Sequence, residues 1–171
     1  MTSITETVDQ PILLLDFDGV LHPDCVFRMA GGGLVLKREG VELFEWAPYL
    51  DSLLKDFPAV RIVLSSSWVH ALGFEAARDA LPEGLGSRVI GSTMDPFMAM
   101  ARWKRMERGE QIRRYVEHRR LVSWVAIDDG VEHWPSGWDG RLIRCDPDLG
   151  LSEPAVLDAL RLALGELHES P

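Results

Sequence analysis

An apolar run that ends in two aspartates is the feature that most constrains how this chain folds. Residues 12–15 are Ile-Leu-Leu-Leu, and Asp16, Asp18 and Gly19 follow almost directly. A short apolar run closed by Asp and Gly is typical of a strand buried on both faces, as in a parallel sheet. Two carboxylates this close can take part in one reaction only if a bound cation offsets their charge or if different surroundings give them different protonation states. The segment therefore predicts a metal site at the end of a central strand; an ordinary Asp-Gly turn is the alternative.

Strand and helix patterns alternate along the rest of the sequence, which is typical of a parallel sheet covered on both faces. Further strands are predicted at residues 60–64, 88–90, 122–127 and 141–145, and helices near 46–57, 70–81, 108–119 and 152–167. Ser152 is the predicted N-cap of the last helix. We therefore expect an α/β fold with a doubly wound, Rossmann-like, mainly parallel sheet of about five strands and helices on both faces.

Composition bounds the size and the class of the protein. With 171 residues and 46% hydrophobic content, the chain suits one well-packed domain, which we expect to span residues 1–171. Cys25 and Cys145 lack metal-ligand spacing, so we expect reduced, partly buried thiols. The sequence shows no secretory signal and no run of roughly 20 apolar residues, so we expect a cytoplasmic protein that does not enter a membrane.

Charge argues against a protein that coats nucleic acid. The net charge is −9, whereas duplex binding relies on a basic face that displaces counterions. Eight of the 18 Lys and Arg residues nevertheless fall between residues 102 and 120. A local basic patch therefore remains, and a nucleic-acid end stays open as a substrate.

Three of the predicted strands end in polar side chains suited to chemistry. They are Asp16 and Asp18 after the first strand, Ser65, Ser66 and Ser67 after the second, and Asp128 and Asp129 after the fourth. In an open α/β sheet, ligands bind outside the carboxyl ends of the strands. We therefore expect these carboxylates and hydroxyls to converge at one edge of the sheet.

These segments resemble, in chain order, the motifs of the haloacid dehalogenase-like (HAD) phosphohydrolases. The likeness rests on DFDGVLHP near the start, SSSW, RGEQI, AIDD and the late DPDLGL. It is closest to a small capless HAD family that includes the HAD domain of multidomain RNA-repair proteins. The resemblance implies a Mg²⁺-dependent phosphomonoester hydrolase whose substrate is a small molecule, a nucleotide or a nucleic-acid end. A phosphotransferase and a catalytically inactive metal- or phosphate-binding module are the alternatives.

The resemblance also implies roles for the residues of the first and second motifs. Asp16 is the expected nucleophile, and Asp18 is the expected general acid and base. A carboxylate nucleophile suits this reaction because covalent catalysis divides one difficult displacement into two easier ones. Ser66 is the preferred phosphate-binding hydroxyl and Ser65 the next candidate. Ser67 and Gly19 complete the predicted phosphate-binding set of these motifs.

The acidic pair after the fourth strand corresponds to the metal-binding motif. By resemblance, Asp128 and Asp129 hold Mg²⁺ together with Asp16 and the main-chain carbonyl of Asp18. Mg²⁺ prefers oxygen ligands and usually keeps several waters, so two or three carboxylates plus phosphate suit it. Without the cation, nucleophile and phosphate would repel each other.

The remaining motif is a Lys or Arg at the start of the helix before the fourth strand. Its candidates are Lys104, Arg105 and Arg108, all predicted to bind phosphate. Arg108 fits best and is assigned to catalysis, because it stands directly before residues 109–112, Gly-Glu-Gln-Ile. An arginine can present two donors to one phosphate group.

The segment between the first two motifs decides what the site admits. Residues 20–43 have room for a β-hairpin flap with glycines 31–33 at its turn, but not for a cap domain. The site is therefore open to a large substrate, or closed by another subunit of a homo-oligomer. We expect His22 and Asp24 to make local turn contacts, with contact to the substrate as the alternative. His133, Trp134 and Trp138 are candidates for a rim that stacks on a base or a sugar.

Overall fold

The computed structural model describes residues 10–29, 34–94, 100–103, 105–130 and 132–169. The strands are β1 Ile12–Leu15, β2 Val26–Arg28, β3 Leu34–Leu36, β4 Arg61–Leu64, β5 Val89–Ser92, β6 Trp124–Asp128 and β7 Leu142–Arg144. The helices are α1 Ala47–Leu54, α2 Ser67–Leu72, α3 Phe74–Asp79, α4 Glu83–Gly86, α5 Met100–Trp103, α6 Arg108–Arg119 and α7 Pro154–Glu169. None of these helices is long and apolar enough to cross a membrane.

A five-stranded parallel sheet with the order β5-β4-β1-β6-β7 forms the centre of the fold. Strand β1 lies in the middle, with Leu14 opposite Val63 of β4 on one side and Ala126 of β6 on the other. The chain fills one half of the sheet with β4 and β5 before it adds β6 and β7 to the other half. This order confirms the doubly wound α/β prediction and opens a crevice at the carboxyl end of β1.

Strand β1 is apolar throughout because both of its faces are covered. Leu13 and Leu15 belong to the larger core cluster, which includes side chains of α1 and α7. Ile12 and Leu14 face the other cluster, where they meet Ile112 of α6. Each fully buried aliphatic side chain contributes about 1.5–3 kcal/mol to folding. The same burial fixes the position of the residues that follow the strand.

A β-hairpin flap follows the first motif, as predicted. Strands β2 and β3 pair antiparallel with Phe27 opposite Val35, while the predicted turn glycines 31–33 lie outside the described residues. The Lys37 N–H donates to the carbonyl of Cys25 at 3.0 Å, which closes the base of the hairpin. In the part of the chain that the structure describes, this hairpin is the only sheet besides the central one. The described residues therefore form a flap beside the site but no cap domain.

Two details of the predicted helices are wrong. The helix predicted over residues 70–81 is two helices, α2 and α3, because Gly73 between them has φ 91° and ψ 158°, which an L-residue rarely adopts. Ser152 does not cap α7, which begins at Pro154. Its hydroxyl instead donates to the carbonyl of Leu149 within a 3₁₀ turn over Gly150–Ser152. Both errors come from backbone turns that side-chain periodicity does not reveal.

Candidate active site

The ends of β1, β4 and β6 are joined by backbone hydrogen bonds at the point where the polar side chains begin. The Asp16 N–H donates to the carbonyl of Ile127 at 3.2 Å, and the Ser65 N–H donates to that of Leu15 at 2.8 Å. Asp16 is only 3% exposed, and its Oδ1 accepts the N–H of Phe17 at 2.8 Å. The expected convergence of three strand ends is therefore present, with Asp16 at its centre.

Three carboxylates form what we call the acidic cluster: Asp16, Asp128 and Asp129. One oxygen of each lies within 4.8 Å of the others. Asp128 is the last residue of β6, and its Oδ1 accepts the N–H of Gly130 at 2.9 Å. Its Oδ2 is buried and has no hydrogen-bond partner among the described residues. A compact set of carboxylate oxygens, one of which accepts no hydrogen bond from the described residues, suits a hard divalent cation such as Mg²⁺.

The pKa of each carboxyl group in the acidic cluster is raised, so its ionised form is disfavoured. Burial raises the pKa of Asp16, and Asp18 raises it further, against the opposing charge of Arg108. Burial and the charge of Asp16 hold the pKa of Asp128 well above its usual range, again against Arg108. Burial, with the charges of Asp16 and Asp24, raises the pKa of Asp129 to about 6. A bound cation would favour the ionised form of all three side chains.

Gly19 makes room for the acidic cluster. Its φ is 69°, and a Cβ built on it would lie 2.2 Å from Oδ2 of Asp129. The glycine of the first motif therefore allows both a left-handed turn and the close approach of a carboxylate. Its predicted contact with phosphate stays a prediction.

Among the described candidates, Arg108 is the basic residue that lies at the site. It opens α6, and its Nη2 and Nε lie 3.4 Å from Oδ2 of Asp16 and of Asp128 respectively. Its Nη1 donates to the carbonyl of Ser65. Burial opposes its charge, but the surrounding carboxylates, Asp16 first among them, raise the pKa of Arg108 above its ordinary value. Of the other two candidates, Arg105 is exposed and Lys104 lies outside the described residues.

The three serines of the second motif have different surroundings. Ser66 is the N-cap of α2, where its Oγ accepts the N–H of Trp68 at 3.4 Å. A hydrogen bond from the Ser66 side chain also lowers the pKa of Asp16. Ser65 is buried, and its Oγ has no partner among the described residues, whereas Ser67 is exposed. Ser66 is thus the serine whose hydroxyl contacts the predicted nucleophile.

Two side chains that the sequence did not assign to the site bind Asp18. The indole Nε1 of Trp68 lies 3.1 Å from both carboxylate oxygens of Asp18. The Nε2 of His22 lies 3.0 Å from Oδ1. We call His22 and Trp68 the donor pair. The contact of His22 with a residue four positions away agrees with the predicted local role. The only sequence signal for Trp68 was its place as the Trp of the SSSW segment.

The predicted stacking rim after the acidic pair is wrong for its two tryptophans. Trp134 and Trp138 are partly buried and pack against Trp124 of the smaller core cluster, with ring centroids 6.3 and 4.8 Å from that of Trp124. The Nε1 of Trp134 also donates to the carbonyl of Trp138 at 3.0 Å. His133 is exposed and pairs with Glu107, the N-cap residue of α6. This loop therefore supports the helix that carries Arg108.

Comparison with known proteins agrees with this arrangement. No curated protein matches the chain significantly. A family model described as the HAD domain in Swiss Army Knife RNA repair proteins matches residues 12–156, which is most of the chain and includes every motif described above. HAD domains are associated with phosphohydrolase chemistry, and the acidic cluster offers a place for the metal that they typically use. The chain belongs to the HAD domain family of Swiss Army Knife RNA repair proteins.

Proposed function

We propose that the protein is a Mg²⁺-dependent phosphomonoester hydrolase that works through an aspartyl-phosphate on Asp16. One observation carries the proposal. Buried Asp16 stands between two further carboxylates and the guanidinium of Arg108, whose Nη2 is 3.4 Å from Oδ2 of Asp16. A carboxylate beside a cation site and a phosphate-binding arginine is suited to in-line attack on phosphorus.

The metal would be held by the acidic cluster, with the main-chain carbonyl of Asp18 as a further ligand. When bound, Mg²⁺ would supply positive charge that offsets the repulsion between a carboxylate nucleophile and a phosphate. Arg108 would hold two phosphoryl oxygens from the opposite side, and the Ser66 hydroxyl would donate to a third.

The reaction has two steps on this chain. Asp16 attacks phosphorus and the bond to the leaving oxygen breaks, while Asp18 donates its proton to that oxygen. Water then attacks the phosphorus of the aspartyl-phosphate and gives its proton back to Asp18. Inorganic phosphate leaves, and Asp16 is restored. Asp18 suits this role because its side chain is 19% exposed, whereas that of Asp16 is 5% exposed.

We further propose a phosphorylated nucleotide or nucleic-acid end as the substrate, with a phosphorylated small molecule as the alternative. The family takes its description from RNA repair proteins, and the described residues include no cap domain that would exclude a polymer. Arg102, Arg105, Arg119 and Arg120 are exposed in the basic segment. Arg113 contributes less, because Glu110 and Glu117 pair with it. A cytoplasmic location and a homo-oligomer remain proposals on the sequence grounds given above.

A turnover screen tests the function. Phosphorylated metabolites and oligonucleotides with 5′- or 3′-phosphates are incubated with the protein in Mg²⁺, and again in chelator. We expect phosphate release from at least one substrate, its loss on chelation and its return with added Mg²⁺. Turnover that resists chelation would contradict the metal, and binding without any turnover would favour the inactive module. The contact of Arg108 with Asp16 argues against that module, because it supplies the basic residue that a catalytic site needs.

A further inference from the structure

His22 is held in one tautomer by its surroundings. The ring is fully buried, and its Nδ1 lies 3.3 Å from the backbone N–H of Phe44, which can only donate. Nδ1 must therefore present its lone pair, and the proton of the neutral ring is on Nε2. That Nε2–H faces Oδ1 of Asp18 at 3.0 Å. The chain thus fixes His22 as a hydrogen-bond donor to Asp18.

Trp68 is held as firmly, from the other side. Its indole N–H can only donate, and it is 3.1 Å from both oxygens of Asp18. The ring packs against Phe17 and Phe44, with centroids 5.5 and 5.2 Å away, and against His22 at 5.8 Å. Neither member of the donor pair can turn away from Asp18 without opening this aromatic cluster.

We infer that His22 and Trp68 are positioning residues, which hold the carboxyl group of Asp18 in the one orientation that serves proton transfer to the leaving group. The inference rests on the proposed hydrolase. Asp18 gives its proton to the leaving oxygen as the P–O bond breaks and later takes one from water. His22 and Trp68 keep their own protons in both steps, because each acts only as a donor. Without them, Asp18 would populate other rotamers, in which its proton does not reach the leaving oxygen.

Two substitutions of His22 separate this role from packing. In His22→Gln the amide nitrogen can occupy the place of Nε2, whereas in His22→Asn the shorter amide reaches only the place of Nδ1. For His22→Asn we expect kcat/KM, which includes only the steps up to departure of the leaving group, to fall about 10- to 100-fold with an alkyl phosphate. With 4-nitrophenyl phosphate, whose leaving oxygen needs little protonation, it should fall less than about threefold. His22→Gln should recover most of the loss. Asp18→Asn, assayed in parallel, gives the size of the complete effect.

Trp68→Phe provides a second, independent variant, because it removes the N–H and keeps most of the ring. It should show the same dependence on the leaving group. The matched control is Trp124→Phe, since both tryptophans are 3% exposed and Trp124 begins β6, at the end of the strand opposite Asp128. The control should lower the melting temperature without changing the ratio of the two kcat/KM values. Equal losses of kcat/KM on both substrates in the His22→Asn and Trp68→Phe variants would overturn the inference.

A structural measurement keeps the inference separate from the proposed function. In crystals of His22→Asn and Trp68→Phe, we expect the Asp18 carboxyl group to be rotated or to occupy several conformers, and in His22→Gln to match the wild type. An Asp18 that stays in place in both donor-deficient variants overturns the positioning role, whatever the activity. If Asp18 is displaced but the wild type hydrolyses no phosphate, the positioning role holds and the proposed hydrolase fails.

Discussion

On the proposed metal side of the site, two buried carboxylates and the half-buried carboxylate of Asp129 face Arg108, whereas on the proposed leaving-group side the carboxylate of Asp18 faces two neutral N–H donors. The acidic cluster carries more negative charge than Arg108 can balance, and burial raises the pKa of its members. Among the described residues, the carboxylate of Asp18 accepts hydrogen bonds from the donor pair alone. A bound cation would therefore balance the charge of the proposed metal side, whereas donors of the chain itself hold the carboxylate on the proposed leaving-group side.

This difference separates two ways to prepare a carboxylate for catalysis. Crowding like charges in a buried place has a cost in folding free energy, which a bound cation can remove. Holding a carboxylate with neutral donors avoids that cost but fixes its direction. Substitutions on the metal side should therefore change the dependence on Mg²⁺, and those on the leaving-group side should change the dependence on the leaving group.

The largest effect is expected from Asp16→Asn. The amide nearly preserves the shape of the side chain but cannot form the acyl-phosphate, so kcat should fall by at least about 10⁴-fold with every substrate. Asp56→Asn is the matched control, because Asp56 is an exposed residue that pairs with Arg161 on the surface. Single-turnover phosphate release, with circular dichroism to check the fold, measures the loss. An Asp16→Asn enzyme that keeps most of the wild-type kcat would refute the covalent route.

The next largest effect is expected at Arg108, whose guanidinium contacts both Asp16 and Asp128. Arg108→Ala should lower kcat by about 10²–10³-fold, because a preorganised donor to the phosphoryl group is lost. Arg108→Lys should recover part of this, since a lysine carries the charge without the two-pronged geometry. Arg105→Ala serves as the competing variant, because Arg105 is exposed. A greater loss at Arg105 than at Arg108 would transfer the role to Arg105.

A smaller and more specific effect is expected from Gly19→Ala. The new Cβ would collide with the Asp129 carboxylate, so Mg²⁺ affinity should weaken by about 10- to 100-fold while the leaving-group dependence stays unchanged. Gly137→Ala is the matched control: Gly137 has φ 88°, but its Cβ would meet nothing within 4 Å. Titration calorimetry with Mg²⁺ compares the two variants. A Gly19→Ala variant that binds Mg²⁺ as tightly as Gly137→Ala would contradict the expected effect of the collision.

The main features of the fold and of the metal side could be predicted because their signals are local in sequence. Apolar strands followed directly by Asp or Ser specify both the sheet and the contents of its edge. The helix predicted over residues 108–119 is present with those bounds, which places Arg108 at its first residue. Each of these predictions uses neighbouring residues and the fact that parallel strands end at the same edge.

The leaving-group side could not be predicted in the same way. Trp68 is 50 positions from Asp18, and its N–H reaches the carboxylate only because the aromatic rings pack in one arrangement. The resemblance already preferred Ser66 to Ser65, but the reason for their different surroundings arises in three dimensions, since Ser65 follows the strand into the core while Ser66 caps the next helix. Such contacts depend on side-chain direction, which hydrophobic periodicity does not encode.

The smallest effect is on stability, and it tests whether the charges of the acidic cluster lower the free energy of unfolding of the apoprotein. The pKa of Asp129 is raised from its ordinary value of 3.8 to about 6, first by burial and then by the charges of Asp16 and Asp24. The folded apoprotein therefore holds this proton more tightly than the unfolded chain does. Its contribution to stability is complete below about pH 4 and is lost as the pH rises through about 6.

Asn at position 129 resembles the protonated acid at every pH. In chelator at pH 8, Asp129→Asn should therefore be more stable than the wild type, by on the order of 1 kcal/mol once solvent screening of this half-buried group is allowed for. At pH 4 the two proteins should melt together. Saturating Mg²⁺ at pH 8 should reverse the order, because the wild type binds the ion more tightly and gains more from it. Asp158→Asn, an exposed change on α7, should show neither effect. Denaturant unfolding curves under these three conditions measure the free energies of unfolding. A variant less stable than the wild type in chelator at pH 8 would contradict the proposed electrostatic cost.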